Sequence, residues 1–287
     1  MSCLGREGGG PRGKHGFTRA APRCLTIATS DSGGGAGIQA DLKGFASAGC
    51  HGMSALVALT AQNTAAVTAI HELPPEFVAA QLEAVFDDIG VDSAKTGMLF
   101  SRRLIEAVAD FLEAHPVPLV VDPVMVASSG AKLLEDDAVE TLVARLFPLA
   151  TVVTPNLAEA EALAGRPGPK AELAERIHAL GAAAVIVTGG HGDPVDYLFD
   201  GIDHVEIPVE RHAVAATHGA GCTHSATVCA GLARGLTLAE AAVAAAETAS
   251  AAVAHGLAEL GAGEGPVDVI DLKEIREHDR VAALDRR

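Results

Sequence analysis

The stretch Cys24-Leu25-Thr26-Ile27-Ala28-Thr29-Ser30-Asp31-Ser32-Gly33-Gly34-Gly35-Ala36-Gly37-Ile38-Gln39-Ala40-Asp41-Leu42-Lys43-Gly44-Phe45 decides the fold class. Residues 24–29 form a short apolar run with β-branched members, which reads as a strand. Ile38, Leu42 and Phe45 then recur at helical spacing. The glycines between them allow positive φ and close approach of backbone to a ligand. No Gly-Lys-Ser/Thr follows, so the loop is not a P-loop, and its glycine spacing is not that of a dinucleotide fingerprint.

The same alternation continues along the chain. Residues 53–60, 118–121, 150–154 and 183–188, together with a short stretch at 93–96, predict strands. Helices are expected over 74–86, 102–114, 136–147, 171–180 and 238–257, with another opened by Pro155-Asn156-Leu157-Ala158-Glu159. Residues 196–199 and 204–208 read as a hairpin around Asp200-Gly201. This order predicts an α/β fold, a mostly parallel central sheet covered by helices on both faces. With no internal repeat and no long linker, we expect one domain over 24–272. Residues 1–23 are expected to be a disordered tail and 273–287 a charged one.

Composition narrows the function. Hydrophobic residues make up 49% of the chain, with no Trp and one Tyr, so the core is aliphatic. A net charge of −16 argues against nucleic acid as a partner, because phosphate backbones need a basic face. No apolar run is long and clean enough to span a bilayer. Five cysteines, an odd number without C-x-x-C spacing, fit neither a disulfide framework nor a zinc site. The N-terminal residues lack a secretory h-region, so a reducing cytoplasm is expected.

The strongest chemical signal is Thr217-His218-Gly219-Ala220-Gly221-Cys222-Thr223-His224-Ser225, ahead of a small apolar run, 226–236, that reads as a buried helix. Backbone N–H groups of Gly219, Ala220 and Gly221 at a helix start form an anion hole. The helix field there is expected to favour the thiolate of Cys222. The plainer alternative is an ordinary turn with a packed cysteine. Asp122 ends a buried apolar strand, where a carboxylate needs a partner, solvent or metal. Asn156 and Glu159, three apart, share a helix face and can reach one ligand; a capping box explains the spacing equally well. Gln62-Asn63-Thr64 after a strand sit where open sheets place ligand contacts, or form a turn. His218, His224 and the other histidines are expected to face solvent or bond locally.

Seven stretches together resemble the hydroxymethylpyrimidine/phosphomethylpyrimidine kinases of thiamine biosynthesis, in the ribokinase-like superfamily. They are residues 29–43, Thr60-Ala61-Gln62-Asn63-Thr64, Lys95-Thr96-Gly97-Met98-Leu99, Val121-Asp122-Pro123-Val124-Met125, Thr154-Pro155-Asn156-Leu157-Ala158-Glu159, Gly189-Gly190-His191 and His218-Gly219-Ala220-Gly221-Cys222-Thr223. The resemblance implies a three-layer α/β/α sandwich. It also implies ATP-dependent phosphorylation of an aminopyrimidine hydroxymethyl group, then of the monophosphate. On that resemblance Gln62 contacts the pyrimidine, with Asp41, Met98 and Val124 shaping its pocket. Gly219, Ala220 and Gly221 form the anion hole, and Cys222 is the base or orients the hydroxyl. Asn156, Glu159, Thr188 and Gly190 lie at the nucleotide, and Asp122 with Glu159 holds Mg²⁺. K⁺ is left open as an activator, and a homodimer is implied.

Three positions depart from the pattern: Thr188 for a common Lys, Ala220 for Thr and Thr29 for Gly. They put substrate preference and rate in question. The competing readings are a pyridoxal or pyridoxine kinase of the same superfamily and a ligand-binding sensor without catalysis.

Overall fold

The structure, a computed structural model, describes residues 21–125, 136–189, 193–272 and 274–275. The strands are β1 (Arg23–Asp31), β2 (His51–Gln62), β3 (Val67–Glu72), β4 (Ser93–Thr96), β5 (Leu119–Val121), β6 (Val152–Val153), β7 (Val185–Val187), β8 (Val195–Phe199) and β9 (His204–Pro208). The helices are α1 (Gly37–Ser47), α2 (Pro75–Asp88), α3 (Arg102–Ala114), α4 (Asp136–Leu146), α5 (Leu157–Ala164), α6 (Lys170–His178), α7 (Ala220–Ala233) and α8 (Leu238–Ala254).

The strands form one sheet in the order β3-β2-β1-β4-β5-β6-β7-β8-β9. Neighbours from β2 through β7 run parallel, while β3 at one edge and β8 and β9 at the other are antiparallel. The chain passes from β1 to β2 on one side and later to β4 on the other, so the connections diverge between β1 and β4. Open α/β sheets place their ligand crevice outside the carboxyl ends of strands at such a switch.

Period-2 alternation divides the strand residues between two cores. Leu25, Ile27, Val121, Val153, Val185 and Val187 face Leu82, Leu104, Val108, Leu142 and Ile177 from the helices of one layer. Cys24, Val120, Val152 and Ile186 face Phe45 of α1, Ala226 and Cys229 of α7 and Ala241 of α8. Each fully buried large aliphatic side chain contributes about 1.5–3 kcal/mol. The expected α/β/α sandwich is therefore the fold observed.

Helix α7 is buried on all sides from Thr223 to Gly231 and built of small residues, as a helix enclosed by its neighbours is. Gly231 lets α8 approach: a Cβ there would lie 2.7 Å from that of Ala241.

Several boundaries differ from expectation. Helix α7 begins at Ala220, six residues before the expected start, because a left-handed Gly219 (φ 86°) turns the chain directly into it. Strand β3 was not anticipated; it is an exposed edge strand joined to β2 by a tight turn in which Asn63 Oδ1 accepts from Ala65 N and Ala66 N. Strand β1 takes in Arg23, whose guanidinium lies 2.6 Å from Asp92. Most of the expected tails, 1–20 and beyond 275, lies outside the described residues. Among the described residues no helix is long and apolar enough to cross a membrane.

Candidate active site

A cleft of about 790 Å³ runs along the carboxyl ends of the parallel strands. At one end it is lined by Thr29, Gln62, Met98 and Val124; at the other by Thr188, Gly189 and residues of α8. The α7 turn, Gly219 to Cys222, lies between them.

The Gly-rich loop is folded around Asp31. Its carboxylate accepts from Gly33 N (2.8 Å), Gly35 N (3.1 Å) and Ala36 N (2.9 Å). His218 Nε2 lies 3.1 Å from Asp31 Oδ2, fastening the loop to the segment before α7. Burial pushes this carboxyl up, but His218 and the backbone donors outweigh it and hold Asp31 below the usual range. A Cβ on Gly219 would lie 1.9 Å from the Gly35 carbonyl oxygen, so only glycine permits the contact of loop and helix start.

At the start of α7, Ala220 N donates to Thr217 O at 3.0 Å, and Thr223 N makes the first helical bond to Gly219 O. The amide of Ala220 is thus already used, which corrects its expected place among the anion-hole donors. The N–H groups of Gly221 and Cys222 have no acceptor among the described residues. A Cβ on Gly221 would meet open space, so an anion can approach this turn.

Beneath the turn lies a charge cluster. Lys95 Nζ is 2.8 Å from Asp41 Oδ1 and 3.4 Å from Asp122 Oδ2. Lys95 and Asp41 are fully buried. Thr26 Oγ1 donates to Asp41 at 2.6 Å, and Ser225 Oγ donates to Asp122 at 2.8 Å. Burial opposes the charge on Lys95, but the surrounding acidic groups raise its pKa above the lysine range, so it stays an ammonium. Asp41 lies behind Lys95 and does not line the cleft. Its expected place among the residues shaping the pyrimidine pocket is corrected: it is paired with Lys95 beneath the cleft.

The same cluster overturns the expected Cys222 thiolate. Burial, with Lys95 opposing and Asp41 and Asp122 adding to it, pushes the thiol up to about 12. The helix field and the Gly37 N–H, which donates to its sulfur, do not offset two nearby carboxylates.

Asn156 and Glu159 form the capping box of α5. Glu159 N donates to Asn156 Oδ1 and Asn156 N donates to Glu159 Oε2, both at 3.0 Å. Glu159 is buried, and its Oε1 accepts from Met125 N at 3.4 Å. Burial and then Asp122 push this carboxyl up to about 8. Cap and ligand contact are compatible, because both side chains also line the cleft. Among the described residues no group of three or more His, Cys, Asp or Glu side chains could hold a metal. Asp122 and Glu159 nevertheless fit Mg²⁺: both line the cleft, burial and Asp122 disfavour the Glu159 carboxylate until a cation is near, and Mg²⁺ takes few protein ligands. Gly190 lies outside the described residues.

At the acceptor end, Gln62 is clamped through its backbone: Ser32 Oγ and Gln62 exchange two bonds of 2.8 Å. Thr60 Oγ1 donates to Gln62 Oε1 at 3.1 Å. The β1–β2 register slips between Ala28 and Ser30. Thr29 N and Oγ1 both donate to Met98 O there, at 3.2 and 3.0 Å.

Sequence reasoning missed Lys95 and the partners of two histidines. His218 and His224 were expected to face solvent or bond locally; His218 meets Asp31, 187 residues away, and His224 is 4% exposed beside Asp196. The available signal was a lysine inside a short strand of a parallel sheet and an aspartate on the Ile38–Phe45 face of α1.

Known proteins match this arrangement. The family described as phosphomethylpyrimidine kinase matches residues 31–268. A hydroxymethylpyrimidine/phosphomethylpyrimidine kinase of Rhizobium meliloti is 50% identical over 252 residues, 85% of this chain and 95% of that protein. The thiamine biosynthesis bifunctional protein ThiED of Geobacter sulfurreducens is 49% identical over 91% of this chain and 56% of its own length. Among solved structures, an ADP complex of Bacillus subtilis pyridoxal kinase superposes with a TM-score of 0.81 at 40% identity, over 88% of this chain and 99% of that one.

Proposed function

The chain belongs to the phosphomethylpyrimidine kinase family, and on that premise we propose how its cleft carries out the reaction. It is an ATP-dependent kinase of thiamine biosynthesis. It phosphorylates 4-amino-5-hydroxymethyl-2-methylpyrimidine and then the monophosphate to the diphosphate. The observation that carries the mechanism is the α7 turn, with the open amides of Gly221 and Cys222 above the Lys95 cluster.

The pyrimidine occupies the end lined by Gln62, Met98, Val124 and Thr29. A neutral amide suits a heteroaromatic edge, since it donates and accepts at once. ATP occupies the end lined by Asn156, Glu159, Thr188 and Gly189. The acceptor hydroxyl oxygen attacks the γ-phosphorus; its O–P bond forms as the bond to the ADP oxygen breaks, and the hydroxyl proton passes to an oxygen of the transferred phosphoryl group and on to solvent. The Gly221 and Cys222 amides stabilise the negative charge of the phosphoryl group in flight. Lys95 adds a fixed positive charge beneath the turn and sets the balance against Asp41 and Asp122. Cys222, a neutral thiol here, orients the acceptor hydroxyl; in a loose transition state little proton transfer has occurred when the phosphoryl group moves. Asp122 and Glu159 would hold Mg²⁺, which when bound neutralises phosphate charge.

A coupled assay of ADP release with the pyrimidine tests the assignment. The likeness to pyridoxal kinase favours one second reading, dual use of pyridoxal, which turnover of the two acceptors separates. A homodimer is further proposed, with the β2–β3 ribbon, where Leu59 and Ile70 are exposed, as a surface for the second copy. Light scattering checks it. A cytoplasmic site suits Cys24, Cys50, Cys222 and Cys229, all free thiols.

A further inference from the structure

The nucleotide end of the cleft contains a buried acid. Asp196, at the start of β8, is 3% exposed and lines the cleft. Its Oδ1 accepts from Gly189 N at 2.5 Å, fixing the end of β7. A carboxylate there repels phosphates unless a cation offsets it.

The antiparallel register places Val187 opposite Tyr197, so the next rung brings Thr188 opposite Asp196. Directly opposed residues point to the same side of a sheet, with Cβ atoms about 4.5–5.5 Å apart. Position 188 is therefore where a cationic side chain would meet Asp196, and it holds a threonine. Lys170 adds some positive potential, but its Nζ is used by the carbonyls of Asp193 (2.9 Å) and Val195 (2.5 Å).

The partner of Asp196 comes from α7 instead. His224 Nε2 lies 3.0 Å from Asp196 Oδ2, at an angle away from a straight hydrogen bond. Burial pushes Asp196 up, but His224 and the Gly189 N–H outweigh it and hold the acid below its usual range. His224 Nδ1 is buried with no hydrogen-bond partner among the described residues. Asp196 is therefore the polar group that the imidazole faces. At so buried a place, leucine would fill the space without the desolvation cost of an imidazole. His224 also lies one turn along α7 from Ala220, on the same face as the anion-hole turn.

We propose that His224 is a positioning residue for the nucleotide. Facing Asp196, whose other oxygen holds Gly189 N, it ties α7 to the turn after β7 and takes the place opposite the acid that Thr188 does not reach as a cation. The histidine acts through Asp196 and the Gly189 backbone and makes no direct phosphate contact, since both its ring nitrogens are buried. This inference rests on the reading of that end of the cleft as the ATP site.

The test uses the full chain with Mg²⁺, titrating a fluorescent ADP analogue and measuring KM for ATP and for the pyrimidine. His224→Leu should weaken ADP binding and raise KM for ATP by about tenfold, a change of about 1.4 kcal/mol. KM for the pyrimidine should stay within about twofold, since its pocket lies at the far end of the cleft. Adding Thr188→Lys to His224→Leu should restore most of the ADP affinity. Equal losses for both substrates, unchanged ADP affinity, or no rescue by the lysine would overturn the proposal. If His224→Leu does not fold, as its melting temperature will show, His224→Gln carries the same comparison. A wild-type chain that binds no ADP would sink the kinase reading and this inference with it. A wild type that binds ADP beside a folded variant that binds it equally well would sink this inference alone.

Discussion

Lys95 Nζ lies 2.8 Å from Asp41 Oδ1, an ion pair between residues 54 positions apart whose side chains are both fully buried. With Asp122 at 3.4 Å it forms a cluster of one cation and two carboxylates under the anion-hole turn. A third negative charge at Cys222 would be unfavourable in that setting, so this cysteine is held as a thiol.

Removing the lysine should expose that balance. Lys95→Met leaves Asp41 buried without its cation and should lower stability by about 3–5 kcal/mol. The double variant Lys95→Met/Asp41→Asn should recover a substantial part. Urea unfolding of the two variants checks it, and a Lys95→Met protein as stable as wild type would remove the ion pair from the account.

The state of Cys222 can be read directly. With the thiol pushed up to about 12, thiolate forms only well above neutral pH. Iodoacetamide should modify Cys222 slowly at pH 7–8, with a rate still rising at pH 10. Mass spectrometry of the modified peptide gives the profile; a plateau below pH 8 would restore the thiolate. Cys222→Ser, which keeps a hydroxyl to orient the acceptor, should retain more activity than Cys222→Ala.

Much of the fold was legible in the sequence because a buried parallel sheet leaves strong apolar runs. The strand Leu119–Val121 falls within the run expected at 118–121, and the helix Arg102–Ala114 falls on its expected boundaries. Strand β3 was not legible: as an exposed edge it needs no apolar run, and its turn consists of Asn63 to Ala66. At the site, motif order picked out the α7 turn, Gln62, Asp122 and Glu159, which the fold brings to one cleft because they lie at strand or helix ends. The pairs Lys95–Asp41, His218–Asp31 and His224–Asp196 were missed because each joins residues far apart in sequence. Local pattern gives no sign of which buried charge meets which. The thiolate expectation failed for the same reason: a helix start argues locally for a low pKa, and the carboxylates that reverse it come from α1 and the end of β5.

Gly219 should tolerate no side chain. Its φ is 86° and a Cβ would lie 1.9 Å from the Gly35 oxygen. Gly219→Ala should lower kcat by about 10²–10³, the usual cost of disturbing an oxyanion-type donor. Steady-state kinetics alongside circular dichroism separates this from unfolding; near-normal kcat in a folded variant would contradict it.

Asp31 gives a pH dependence with a defined sign. Its pKa is held below the 3.8 of a free aspartate, so its stabilisation is present above pH 3.8 and is lost as pH falls through the lower folded value. Asp31→Asn should therefore be less stable than wild type at pH 6, with the gap closing as pH falls below 3.8. Thermal melts across that range provide the check; a constant gap would mean that the carboxylate charge is not what holds the Gly-rich loop.

The central claim is tested most directly by measuring ADP release and phosphorylated products with 4-amino-5-hydroxymethyl-2-methylpyrimidine, ATP and Mg²⁺, with pyridoxal in parallel. The account predicts pyrimidine-dependent turnover that ends in the diphosphate, with two ADP formed per pyrimidine and a higher kcat/KM than for pyridoxal. No turnover with the pyrimidine, or a clear preference for pyridoxal, would contradict it.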